Sequence, residues 1–174
     1  MEKFSKDINI INRLTTTLFI VYLMALVWIL LLKLGVRFSY MEDRGTNLIP
    51  FGELSVLTAE NIMNVMIFVP LGIYAGVLFT PWIFGKKLFS LFLLSLLVEG
   101  LQYLLRIGAF DVTDLITNTL GGAIGLIIFL ILEKGFDNGI KAQRFINHLA
   151  AIGTVIMILL LVLLKMNMLP VRYQ

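Results

Sequence analysis

The chain has 174 residues, of which 59% are hydrophobic and 14% charged, an apolar share well above the roughly 45–50% of soluble domains. No cysteine is present, which excludes disulfides, thiolate metal sites and a cysteine nucleophile and leaves the redox compartment open. The single histidine, His148, makes no metal site alone, and the net charge of +3 is carried by lysines and arginines scattered at the ends of apolar runs, a pattern of topology anchors and not of nucleic-acid contacts.

A polar N-terminus, MEKFSKDINIINR, precedes a first apolar run over residues 14–34, about 20 residues and long enough to span a bilayer. It lacks the shorter apolar core and small-residue cleavage site of a signal peptide, so an uncleaved first helix is expected. Four further runs of spanning length follow at residues 64–80, 88–105, 114–132 and 145–164. No period-2 barrel pattern is visible, and unpaired backbone is not tolerated in lipid. The expected fold is therefore all-α, a polytopic membrane helical bundle of about five transmembrane helices forming one domain over 1–174.

Orientation follows from the basic residues. With the N-terminus inside, the cytoplasmic segments hold Lys3, Lys6, Arg13, Lys86, Lys87, Lys134, Lys141 and Arg144, and the opposite side holds Lys33, Arg37, Arg44, Arg106, Lys165 and Arg172. The bias favours N-in and C-out, which puts the loop 35–62 and the turn 106–113 on the outer face.

The first loop contains RGTNLIPFGEL, residues 44–54. Pro50 forces Ile49 toward extended geometry, as in a turn or re-entrant segment, and Arg44 is either a solvated cation or a partner for acids on the same side. In the second helix Asn61, Asn64, Phe68 and Gly72 fall within an arc of about 80°, with Gly76 near its edge. Pro70 removes a backbone donor and frees a carbonyl; Asn64 is expected either to satisfy such a group locally or to meet Asn118 across a glycine-lined contact.

On the third helix Glu99, Gln102 and Arg106 fall within about 60° of one another. An ionised carboxylate in hydrocarbon costs on the order of 3 kcal/mol, so Glu99 must face the protein interior, a cation or water; it serves either helix packing or a site. At the fourth helix Asp111 reads as an N-cap and Asp114 as a first-turn acid suited to the helix dipole. Asp114 and Asn118 continue one stripe, which runs on through Gly121 and Gly125, a small-xxx-small pattern for close helix packing.

Four pieces in this order, NLIPF (47–51), NVMIFVPLG (64–72), EGLQ (99–102) and DVTDLITNTLGGAIG (111–125), resemble the VanZ-like family of small bacterial membrane proteins. The resemblance covers residues 44–125 and leaves out the fifth helix at about 145–164. It implies an association with reduced susceptibility to glycopeptide antibiotics, to teicoplanin and not vancomycin, by a route separate from the enzymes that rewrite the D-Ala-D-Ala target. It brings no established reaction.

Two functions suit these residues. In the first, the outer polar cluster of Arg44, Asn47, Asn64, Glu99, Gln102, Arg106, Asp111, Asp114 and Asn118 binds or masks the headgroup of a membrane lipid or lipid-linked cell-wall precursor, with Arg44 and Arg106 on its phosphate or carboxylate. No cofactor or metal is needed. In the second, an integral-membrane enzyme acts on a lipid-linked substrate, with Glu99 as general base and Asp111 and Asp114 as further catalytic candidates sharing a divalent cation. The binding reading is preferred, because the cluster has no phosphate-binding Gly-Lys loop, no histidine and no serine on the stripe. A small transporter is a third reading; with no internal repeat, it would draw its symmetry from a homo-oligomer.

Overall fold

In a computed structural model the described residues are 2–32, 45–52 and 58–166. They form five helices, α1 (Glu2–Leu32), α2 (Ala59–Leu78), α3 (Phe84–Leu105), α4 (Val112–Gly135) and α5 (Gly139–Lys165), with two short strands, β1 (Thr46–Asn47) and β2 (Phe110–Asp111). All five helices are long and apolar enough to cross a membrane. The helix count matches expectation; the ends do not. The polar N-terminus is part of α1, because nothing in residues 2–13 breaks a helix and a polar sequence can remain helical outside lipid. α2 starts at Ala59 because Thr58 caps it, its Oγ1 accepting from the Asn61 N–H at 3.1 Å.

Packing divides the chain into two compact units, one of Ala25–Gly135 and one of Met1–Met24 with Phe136–Gln174. In the latter, α5 is fastened to residues 11–15 of α1 by a polar ladder that hydropathy does not reveal. Thr15 Oγ1 donates to Asn147 Oδ1 at 3.0 Å, Asn147 Nδ2 donates to the Ile11 carbonyl at 3.2 Å, and Gln143 Nε2 reaches Asn12 Oδ1 and Thr15 Oγ1 at 3.0 and 2.8 Å.

In the Ala25–Gly135 unit, α4 packs between α2 and α3 and meets α2 along most of its length. The arrangement reverses the pattern of soluble proteins. Large apolar residues such as Met63, Met66, Leu93, Leu97, Leu120 and Ile127 point outward, while the buried face of α4 is Thr113, Thr117, Asn118, Gly121, Gly122, Gly125, Leu126 and Phe129. Where lipid is as apolar as leucine, helices associate through close van der Waals approach and interhelical hydrogen bonds, and small or polar residues serve both. The glycines are at backbone contact. A Cβ on Gly125 would strike the Val69 carbonyl and lie 2.9 Å from both Gly72 Cα and Ile73 N; one on Gly72 would strike the Gly122 carbonyl. Lys87, near the start of α3, is also buried, its Nζ 3.4 Å from the Gly76 carbonyl and 5.9 Å from the centroid of the Phe129 ring.

Candidate functional site

The start of α2, the end of α3 and the start of α4 share one end of this unit, and their polar side chains meet there. Asp111 is the hub. As N-cap of α4, its Oδ1 accepts from the Thr113 N–H at 2.7 Å, satisfying one of the donors that a helix start leaves unpaired. Its Oδ2 accepts from Asn47 Nδ2 at 3.0 Å, and its own N–H donates to Glu99 Oε2 at 3.2 Å. The parallel pairing of β1 with β2, Thr46 beside Phe110 and Asn47 beside Asp111, holds the NLIPF segment against this point. Asn47 Oδ1 also accepts the Ile49 N–H at 3.3 Å, and the Phe51 N–H, with Phe51 at φ 54°, donates to Thr113 Oγ1 at 3.1 Å. Asn47, Asp111 and Thr113 therefore build the mouth.

Behind the mouth lie Glu99 and Asp114. Glu99 is only 2% exposed, and its bond to the Asp111 N–H ties the end of α3 to the start of α4. Asp114 Oδ1 accepts from Asn64 Nδ2 at 2.8 Å, joining α4 to α2. Asn64 thus meets the acid, and not Asn118 as the shared stripe suggested, because it stands level with the first turn of α4. Gln102 is buried and its Nε2 donates to the Leu30 carbonyl of α1 at 2.9 Å.

Arg106 departs from its expected place above Gln102, since α3 ends at Leu105 and helical periodicity stops there. Its backbone is left-handed, φ 56° and ψ 37°, and it closes a Schellman motif in which the Ile107 N–H reaches the Gln102 carbonyl at 3.0 Å and the Arg106 N–H the Tyr103 carbonyl at 3.3 Å. Glycine is the usual residue at such a position; here it is an arginine with an exposed side chain. Arg44 lies outside the described residues.

Asn118 is 1% exposed, with its Oδ1 unpartnered. Ser95 is fully buried, one turn before Glu99 on the same face of α3, and its Oγ is unpartnered as well. The stripe on α3 does contain a serine. In the sequence Ser95 is masked by the apolar run around it, and its four-residue spacing to Glu99 is the signal that places it on the stripe. Among the described residues no three His, Cys, Asp or Glu side chains come close enough to hold a metal ion.

The family model described as VanZ/LLP1 matches residues 19–133, a range that contains every residue of this polar end. The chain belongs to the VanZ/LLP1 family. Protein VanZ of Enterococcus faecium is 37% identical over 153 residues, covering 86% of this chain and 91% of that protein, so the similarity extends into α5, beyond the family match. No solved structure matches the chain. With five apolar helices and this membership, the chain is a multi-pass membrane protein of the VanZ/LLP1 family.

Proposed function

We propose that this VanZ/LLP1 protein lowers susceptibility to teicoplanin by binding a lipid or lipid-linked cell-wall precursor at the outer face of the bacterial plasma membrane. The orientation is N-terminus cytoplasmic and C-terminus outside, as the distribution of lysine and arginine favours. The observation that carries the reading is that two acids, Glu99 and Asp114, share the polar end of a small helical unit with the turn residue Arg106, whose backbone conformation costs roughly 1 kcal/mol for any residue but glycine. A guanidinium suits phosphate or carboxylate geometry, and the acids behind it suit a group that donates hydrogen bonds. The loop carrying Leu48 and Ile49, both strongly exposed, supplies apolar surface beside this opening for an acyl or prenyl chain. The ligand-binding residues of this reading are Arg44, Asn64, Glu99, Gln102, Arg106, Asp114 and Asn118, with Asn47 and Asp111 shaping the mouth.

Expression in a teicoplanin-susceptible host tests the reading, with wild type raising the inhibitory concentration and folded Glu99→Gln and Asp114→Asn failing to do so. Purified protein incubated with lipid-linked precursor and followed by mass spectrometry should show a bound, unaltered ligand. Turnover that disappears in the two variants would establish the enzymatic reading in its place, and a reporter fused after Gln174 that proves cytoplasmic would put the site on the wrong face.

A further inference from the structure

Several buried or half-buried hydroxyls in these helices follow one habit. Ser90, Thr117, Thr119 and Thr154 each donate to the carbonyl four residues back, at 2.7 to 3.0 Å, the usual refuge of a hydroxyl in an apolar helix. Ser95 does not. Its Oγ has no hydrogen-bond partner although the residue is 0% exposed, and the same is true of Asn118 Oδ1 in a residue 1% exposed. Burying a polar group without a partner is unfavourable, and the described residues contain two such side-chain atoms.

Helical register brings the two residues to one level. α3 and α4 run antiparallel, and their register is fixed at two levels: Leu91 is the side chain that a Cβ on Gly122 would meet, with Leu91 Cδ1 at 2.9 Å, and Glu99 Oε2 accepts from the Asp111 N–H at 3.2 Å. Ser95 is one turn from both Leu91 and Glu99, and Asn118 is one turn from both Gly122 and Asp114. Four-residue steps keep a helix face, so Ser95 and Asn118 stand level on the facing sides, about 6 Å deeper than Glu99 and Asp114. The contact of Leu91 with Gly122 forms an apolar floor one turn further on.

We propose that the polar site has a second, deeper binding position between α3 and α4, where Asn118 Oδ1 and Ser95 Oγ together take a small hydrogen-bond donor. An amide oxygen only accepts, so the guest must bring an O–H or N–H: it is water, or the hydroxyl or ammonium of a lipid headgroup whose anionic part is at the mouth. A phosphate or carboxylate oxygen has no place there. The position divides recognition into an anion-binding mouth and a donor-binding floor, and it rests on the proposed function only for the identity of a lipid guest.

The test is the sign of a stability change. Purified Ser95→Ala, and Ser95→Cys as a volume-conserving second variant, are unfolded with SDS in bicelles of dioleoylphosphatidylcholine, whose headgroup has neither O–H nor N–H, and in bicelles containing dioleoylphosphatidylethanolamine. If the position is occupied, both variants unfold at lower SDS than wild type, Ser95→Cys less so. An equal drop in the two lipids identifies water as the guest, and a drop confined to phosphatidylethanolamine identifies the headgroup ammonium. A midpoint that is unchanged or raised in both lipids overturns the proposal, because removing a hydroxyl that holds nothing relieves a penalty. None of these readouts uses the antibiotic, so the deeper position can fail while Glu99→Gln and Asp114→Asn still abolish protection, and the reverse.

Discussion

Gly125→Ala tests whether backbone contact between α2 and α4 holds the unit together. The added methyl meets backbone and not a side chain: it would strike the Val69 carbonyl and come within 2.9 Å of Gly72 Cα and Ile73 N. No rotamer can relieve this, so α2 and α4 must separate locally by roughly 1 Å, a gap that forfeits a quarter to a half of each opposed dispersion contact. Overpacking of this kind costs about 1–3 kcal/mol, and a rigid backbone partner puts Gly125→Ala at the upper end, about 2–3 kcal/mol. Gly100→Ala is the internal control. The same substitution one helix away meets nothing within 4 Å and should be neutral or stabilising by up to about 1 kcal/mol through helix propensity. Unfolding of purified protein in mixed micelles, followed by far-UV circular dichroism, measures both. Equal stability of Gly125→Ala and wild type, or an equal loss in the two variants, would refute the close-contact argument. The same separation would stretch the 2.8 Å bond from Asn64 to Asp114, so Gly125→Ala should also weaken teicoplanin protection without touching a polar residue.

Arg106→Gly should stabilise the fold by about 1 kcal/mol by relieving the left-handed backbone, while reducing teicoplanin protection; a variant that gains stability and keeps full protection would remove the arginine from the site. Asp111→Ala should cost about 1–2 kcal/mol through loss of the cap, and Asp111→Asn much less, since an amide oxygen still accepts from Thr113 N–H; the same micelle unfolding ranks the two. A double-mutant cycle of Asn64→Leu and Asp114→Leu should give a coupling of about 0.6–1.7 kcal/mol, the range for hydrogen bonds between membrane helices, and a coupling near zero would show that the two side chains act independently.

The helices were legible because each is an apolar run of spanning length, and the glycine stripes because 3.6-residue periodicity survives in any straight helix. What failed to show was whatever depends on a partner helix or on a helix end. Asn64 was correctly placed on the inward face of α2, but whether it would meet Asp114 or Asn118 depends on the axial offset of α2 against α4, which no single helix encodes. Arg106 was assigned to a face that ceases to exist one residue earlier. The pairing of β1 with β2 joins residues 64 apart through two-residue strands, too short for any alternation to register. The ladder of Thr15, Gln143 and Asn147 is hidden for another reason: Thr15 and Asn147 are single polar residues inside apolar runs, and Gln143 lies just before the run at 145–164, where it reads as flank.

The polar end sorts its acids by what they already hold. Asp111 bonds Thr113 and Asn47 through its side chain and Glu99 through its backbone, and these bonds join the NLIPF segment, α3 and α4. Asp111→Ala therefore loses the cap and the Asn47 bond together while the backbone bond to Glu99 remains, so loss of protection in that variant would not by itself show a ligand contact. Glu99 Oε2 accepts from the Asp111 N–H and Asp114 Oδ1 from Asn64 Nδ2, so each acid ties its helix to a neighbouring segment. Amide replacements retain an acceptor at that atom while altering charge, so Glu99→Gln and Asp114→Asn separate the charge of the site from its architecture. Arg106 is the complementary case, since its backbone closes α3 whatever its side chain does. A variant that keeps the left-handed turn and removes the guanidinium isolates the anion contact, and Arg106→Asn, tolerant of that backbone, is the substitution that does so.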